Sequence, residues 1–564
     1  MKLIIFSFIL SFSVLSVSDA VFAQLSPTIE WKQCYGGAKI EGFNPLHDHT
    51  ILQTSDGGYV FIGETESNDG DVSGNHKDSI GNYLYDIWLV KISTSGNILW
   101  QKCFGGTSHE TPTCLIQTRD GGFLVSGQSR SHDGDVTNNG GGWPIGSNQF
   151  GGIDAWVFKT DSLGELKWNL CIGGRSGWQI LNSVIEVDDG FIGVGSTSSK
   201  EEGWNLHGTF GDDALIVKFN SKGEMWHKLI GGSSGDIANA VIAASDSTYI
   251  FVGLTNSNDG DISGFHGLTS ATVDILAVKF DSNGKIIWQK CYGSSSHESN
   301  ANCIIATPKG YMIAGYTYLV NGFKDTGSGD ISGYHGATDG WIVEIDSNGT
   351  LIDQHCFGGS GYDNINSIVQ TKEGNFAFAG VTFSTDGDLS DLHRAKSDSS
   401  DAWVGEFSSD WKLNWEKTLG GSGTDGFYSI ALTSDDGFIL NGKTESNNND
   451  VAGNHGLSDI WNVKLSKPLS RVELANEDAV FINPYPNPCS NEIQMKIYSV
   501  KAINQIQFYN LLGVQEFPSY HIDGSVVRVN ISELPEGIYF LTVSFINSNI
   551  VQTGKFIHSG LVPN

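Results

Sequence analysis

The chain has 564 residues, room for two or more domains with sizeable cores. Its 71 glycines, 12 prolines and 11 % aromatic residues suit short strands joined by tight turns, and no long helical period is visible. A formal charge of −30 excludes nucleic acid and anionic membrane as partners, because phosphate would be repelled.

The N-terminus reads as a leader. Lys2 precedes an apolar run from Leu3 to Val17, and Val21-Phe22-Ala23 offers a small-residue cleavage site before Gln24. Residues 1–23 are therefore expected to be a secretory signal peptide. No other apolar run approaches the ~18 residues that a spanning helix needs, so no transmembrane segment is expected.

From there one pattern recurs seven times, each unit ending on a small-residue pair: Gly36-Gly37, Gly105-Gly106, Gly173-Gly174, Gly231-Gly232, Gly293-Ser294, Gly358-Gly359 and Gly420-Gly421. The steps of 69, 68, 58, 62, 65 and 62 residues fit four strands with loops. A short apolar strand such as Ser367-Ile-Val-Gln-Thr371 leads through a turn to a nearly all-apolar second strand, Tyr59-Val-Phe-Ile-Gly63 in the first unit. Such a strand is expected to be buried on both faces. The third strand reads Asp86-Ile-Trp-Leu-Val-Lys91 and the fourth Ile287-Trp-Gln-Lys-Cys291. Four-stranded units in radial repetition predict an all-β fold, a seven-bladed β-propeller over residues 24–465. The last unit stops after its third strand, while Ile29-Glu-Trp-Lys-Gln-Cys34 stands alone at the start, so the N-terminal strand is expected to close the seventh blade. Trp31, Trp100, Trp168, Trp226, Trp288 and Trp415 share one slot of the fourth strand, with Asp353 in the remaining unit, and are read as packing between blades.

After a linker at 466–479 the pattern changes. Residues 480–564 show short strands between Gly and Pro turns, which predict a small C-terminal β-sandwich. Asn483-Pro-Tyr-Pro-Asn-Pro488, Tyr509-Asn-Leu-Leu-Gly513, Leu534-Pro-Glu-Gly-Ile-Tyr-Phe-Leu-Thr-Val543 and Lys555-Phe-Ile557 follow in order. Together they resemble the type A sorting domain of the type IX secretion system. The resemblance implies Bacteroidota-type export, with the secretion machinery as partner and a cell-surface or secreted destination. Leu561-Val-Pro-Asn564 extends past the usual end of that domain.

Polar residues recur where loops gather on one face. Four residues after the second member of each pair stand Glu41, Glu110, Asp236, Glu298, Asp363 and Asp425, with Trp178 breaking the series. The loops between second and third strands supply Asp71, Asp135, Asp261, Asp330, Asp388 and Asp450, and also His76, His207, His266, His335, His393 and His455. Carboxylates around glycine turns suit Ca²⁺, which makes Asp71, Asp261, Asp330, Asp388 and Asp450 candidate metal ligands. The alternative is that they brace loops through His and backbone amides, with no cofactor. Near-identical copies argue against catalysis, which needs unlike groups at one place. The loops that break the repeat are therefore the better binding candidates: Trp143, Phe150, Trp178, Trp204, Tyr316 and Tyr318. The expected function is a non-catalytic glycan- or protein-binding module. The alternative is an extracellular polysaccharide hydrolase or lyase, with Glu110 and Asp135 as an acid–base pair. Cys34, Cys103, Cys171, Cys291 and Cys356 share one slot in five units and read as small buried hydrophobes.

Overall fold

A computed structural model describes residues 26–42, 50–136, 153–173, 177–200, 206–208, 211–267, 272–320, 329–389, 399–468, 491–496, 503–510, 515–523, 526–545 and 551–559. The expected signal peptide lies outside these residues. The chain divides into two compact units, residues 1–469 and 470–564.

The described residues of the first unit form seven antiparallel sheets. The second blade is representative, with strands Glu110–Gln117, Phe123–Ser129, Asp154–Thr160 and Leu166–Ile172 from the innermost outward. The second and third strands of every blade are almost wholly buried, which accounts for their lack of polar alternation. Ile29–Tyr35 pairs antiparallel with Asp459–Leu465 as the outer strand of the last blade. The first and last strands of the unit are thereby stitched into one sheet, and an open edge is removed. Innermost strands touch in cyclic order, with Asp425–Leu432 of the last blade against Ile51–Gln53 of the first. The fold is thus a closed β-propeller.

Two sets of contacts hold adjacent blades together. Near the axis, the innermost strands of the second to sixth blades each carry a β-bulge, and the bulged residue reaches across to the next blade. Asn182 Nδ2 donates to the Ala238 carbonyl at 2.9 Å, and Asn239 to Ala301 at 2.8 Å. Asn302 donates to Ile365 at 2.9 Å and Asn366 to Phe427 at 2.8 Å, while the Thr113 hydroxyl donates to Leu181. Each acceptor carbonyl immediately precedes the bulge of its own strand, so the bonds form a belt. At the rim, the fourth-strand Trp packs on the start of the next blade's second strand: Trp31 on Tyr59, Trp100 on Phe123, Trp168 on Phe191 and Trp415 on Phe438, with centroids 6.0–6.2 Å apart.

Asp353 is a swap rather than a defect. In other blades the fourth-strand Trp lies over a turn glycine of its neighbour, as Trp31 lies over Gly96 and Trp288 over Gly349. Opposite Asp353 that glycine is replaced by Trp411, whose Nε1 donates to Asp353 Oδ2 at 3.0 Å. Trp411 keeps the left-handed backbone of the glycine, φ +66°, at a cost of about 1–2 kcal/mol. The indole has changed sides of the junction, and the contact survives.

The second unit has two sheets. One holds Glu492–Lys496, Val526–Asn530 and Tyr520–Asp523, the other Gln515–Glu516, Ile503–Asn510, Gly537–Phe545 and Val551–His558. Ile493, Val527 and Val529 from the first meet Phe508, Tyr539, Leu541 and Phe556 from the second in one buried cluster, the core of a sandwich.

Deleting residues 24–35 removes the outer strand of the last blade and leaves Asp459–Leu465 as an exposed edge. The expected result is aggregation, or a fall in Tm of many degrees, read by thermal melting with light scattering. An unchanged melt would show that the ring closes without that strand.

Candidate functional site

On the face where the fourth-to-first and second-to-third loops gather, most blade junctions bring carboxylates together. At the junction of the last and first blades, Asp459 Oδ2 accepts from the His455 backbone amide at 3.1 Å and lies 2.7 Å from its Nδ1. Glu41 accepts from the Gly37 amide at 2.8 Å and from the Thr65 hydroxyl at 2.7 Å. Both acids press on Gly36, where a Cβ would sit 2.6 Å from an oxygen of each. The glycine that marks each repeat is therefore required by the carboxylates packed against it. Asp459 and Glu41 are fully buried.

The same arrangement recurs around the ring with substitutions that the sequence spacing conceals. Glu110, Asp236, Asp363 and Asp425 hold the position of Glu41. In the third blade the position belongs to Gln179, whose amide donates to the Ile153 carbonyl as that of Glu110 does to Tyr85. In the fifth it belongs to Ser299, whose amide donates to Val273. The loop before each is one residue longer. Trp178 is therefore a neighbour of the position rather than its occupant, and Glu298 is displaced from the acidic series onto the Tyr318 hydroxyl.

The five candidate metal ligands stand at five different junctions. Asp71, Asp330, Asp388 and Asp450 each accept from the amide of the first glycine of a pair, at 3.3, 3.1, 3.0 and 3.4 Å. Asp261 lies 3.3 Å from His207 Nε2, and Asp330 lies 3.8 Å from His266 Nε2. A loop histidine thus stands between the third-strand Asp of its own blade and the loop Asp of the next. Among the described residues no group of three or more His, Cys, Asp or Glu is arranged to hold a metal ion. His393 lies outside the described residues.

Burial sets the ionisation here. It pushes Asp236, Asp339 and Asp459 up to about 6, outweighing their hydrogen bonds. The bonds to Asp86 and Asp274 raise His76 and His266 despite burial of the rings. Burial likewise pushes the Cys34 and Cys171 thiols up to about 12, as befits packed cysteines.

A second feature breaks the symmetry. A cavity of about 380 Å³ opens on the same face across the fifth, sixth and seventh blades. Its aromatic wall is Tyr316, Tyr362, Phe383 and Tyr428; Val381 also lines it, as do Asn364 and Asn366, whose Nδ2 groups donate to Asn366 Oδ1 at 3.0 Å and to the Phe427 carbonyl at 2.8 Å. Tyr362 is 62 % exposed and meets Phe383 edge-on, with centroids 6.2 Å apart. Tyr316 stacks on Tyr318, 14° from parallel, and the Tyr318 hydroxyl donates to Glu298. Of the aromatic candidates named from sequence, Tyr316 lines this cavity and Tyr318 backs it. Trp178 is 37 % exposed on the third blade, away from it. Trp143, Phe150 and Trp204 lie outside the described residues. Tyr362, Phe383 and Tyr428 escaped the sequence reading. Tyr316 and Val381 stand at a register that differs in every repeat, the residue after the second-strand glycine, which is Glu64, Gln128, Ser196, Leu254, Tyr316, Val381 or Lys443, whereas Tyr362, Phe383 and Tyr428 stand elsewhere.

The acid–base pair considered from sequence is differently placed. Glu110 is fully buried and accepts from the Gly106 amide and the Ser129 hydroxyl. Asp135 faces the Gly105 amide and His76.

Residues 483–558 match the family described as the secretion system C-terminal sorting domain. The chain thus joins a β-propeller to a type IX secretion sorting domain, which directs it to export and to a surface or secreted location. No curated protein matches the chain. Solved structures similar to it include PorZ, a surface component of the type IX secretion system of Porphyromonas gingivalis. It is 10 % identical over 89 % of this chain and 69 % of that one, with a TM-score of 0.27. The subtype N11 neuraminidase-like protein of A/flat-faced bat/Peru is 12 % identical over 80 % of this chain and 98 % of that one, TM-score 0.31. The parainfluenza virus 5 hemagglutinin-neuraminidase ectodomain is 8 % identical over 63 % and 82 %, TM-score 0.30. Among the described residues no helix is long and apolar enough to cross a membrane.

The junction acids and histidines fix the sign of the pH dependence. A carboxyl raised from 3.8 to about 6, or a raised histidine, binds its proton more tightly folded than unfolded. The stability it contributes is complete below the unfolded value and is lost as pH rises through the folded one. Asp56 and Asp246, pulled down to about 2 by Lys91 and Lys279, act oppositely but only below about pH 4. The propeller is therefore expected to melt at a higher temperature at pH 5 than at pH 8 in scanning calorimetry. A Tm that rises across this interval would contradict the assignment.

Proposed function

We propose that the propeller is a non-catalytic binding module and that the cleft between Tyr316, Tyr362, Phe383 and Tyr428 holds an extracellular glycan. The observation that carries this reading is the convergence of four rings and two amides from three blades on one cavity. Sugar C–H faces stack on rings while hydroxyls take amide partners, and a few polar groups in an apolar cleft of this size suit a small-molecule site. The loop carboxylates Asp71, Asp261, Asp330, Asp388 and Asp450 act in this reading as braces. Their amide and histidine partners, repeated from blade to blade, support that role over a metal site. The burial of Glu110 disfavours the hydrolase alternative, because a general acid must reach the glycosidic oxygen.

A glycan array probed with the secreted protein is the direct test. Tyr362→Ala is expected to lower affinity for the bound glycan at least tenfold while leaving Tm within a few degrees, since Tyr362 is largely exposed. Silence on the array, together with release of reducing ends from a polysaccharide, would favour the enzyme instead.

Export supplies a second test. Residues 480–564 include the sorting domain and have their own core, so deleting them is expected to leave the propeller folded but retained inside the cell envelope. Surface display of the truncated protein at the normal level, read by protease accessibility on intact cells, would refute the sorting role.

A further inference from the structure

Resting on the glycan reading of the cleft, we propose that its charge decides which glycans it takes: sugars bearing carboxylate or sulfate groups are refused, and a protonated amino sugar is favoured. Among the described residues the lining contains one acid, Asp363, and no Lys, Arg or His. Asp363 accepts from three donors: the Gly359 amide at 2.8 Å, the Thr382 hydroxyl at 2.5 Å and the Ser384 hydroxyl at 2.6 Å. Behind Tyr316 stands a second carboxylate, Glu298, carrying the Tyr318 hydroxyl. On the far wall, burial, then Glu445 and Asp425, push the Tyr428 phenol up to about 12. Burial raises the Tyr316 phenol too, with Glu298 adding to it. The phenols therefore remain neutral and offer hydroxyls and ring faces rather than anions.

Lys443, on the same blade as Tyr428, lies over Gly42 of the first blade and is held 3.2 Å from Glu445. It is not part of the lining. An anionic sugar entering the cleft would leave water for an apolar wall backed by acids, with no cation among the described lining residues to receive it. An ammonium would meet the faces of Tyr316, Tyr362 and Tyr428, whose quadrupoles attract cations, in a field made negative by Asp363 and Glu298. The net charge of −30 gives the approach the same sign.

Glucosamine oligomers, their N-acetylated counterparts and oligogalacturonate of equal length, titrated into the full secreted protein by calorimetry, separate the cases. The glucosamine oligomer is expected to bind about tenfold more tightly than the acetylated one, and oligogalacturonate not at all. The preference is expected to shrink in 0.5 M salt, as a Coulombic effect must. Glu298→Gln is expected to weaken the amine preference while leaving affinity for the acetylated oligomer unchanged. Binding of oligogalacturonate equal to or tighter than the other two would overturn the charge rule and leave the glycan reading standing. Absence of binding by all three, with a silent array, would remove the glycan reading and the charge rule with it.

Discussion

The structure depends on one constraint: each sheet of a closed ring must meet two neighbours, and every junction must satisfy the polar groups that the ring buries. A bulge opens the innermost strand and leaves a carbonyl without a ladder partner, and the bulged Asn or Thr of the preceding blade supplies the donor. Each such bond is worth about 1 kcal/mol net, but leaving the carbonyl bare would cost about 1–3 kcal/mol. The belt is thus held less by what its bonds add than by what their loss would cost. Further out the same logic places a carboxylate against each glycine pair, and at the rim an indole against the next blade.

These demands explain why so much of the architecture is legible in the sequence. The glycine pair, the Asp that opens each third strand and the fourth-strand Trp recur because each junction makes the same request of two blades. The lone strand at the N-terminus is legible for the same reason, since a blade with three strands has an edge to cover. What the spacing concealed was register. A loop one residue longer in the third and fifth blades moves Gln179 and Ser299 into the acid position and leaves Trp178 and Glu298 beside it. No count from the glycine pair can detect that, because the strand aligns by its hydrogen bonds and not by loop length.

The cleft was hidden for a different reason. Tyr316, Tyr362, Phe383 and Tyr428 come from three repeats and occupy different register positions, so no motif joins them. Tyr428 stands at the bulge where the third, fourth, fifth and sixth blades keep Asn182, Asn239, Asn302 and Asn366. Departure from the belt residue is thus itself the mark of the site. Tyr316 could be suspected from sequence because its loop is rich in aromatics, whereas Tyr362 could not, since it precedes an acid that looks like every other.

The swap of Asp353 and Trp411 shows how strictly the junctions select. When the indole leaves one side of a junction it reappears on the other, accepting a left-handed backbone and finding a carboxylate partner for its N–H. A contact that is rebuilt at such cost is not free to evolve toward a ligand. The junction acids and the rim tryptophans are therefore committed to the ring, and variation that the fold tolerates is left to positions facing the mouth of the propeller. There the blades present Glu64, Gln128, Ser196, Leu254, Tyr316, Val381 and Lys443 at one register. The fifth and sixth blades place Tyr316 and Val381 there, and with Tyr362, Phe383 and Tyr428 these unlike residues converge on one cavity.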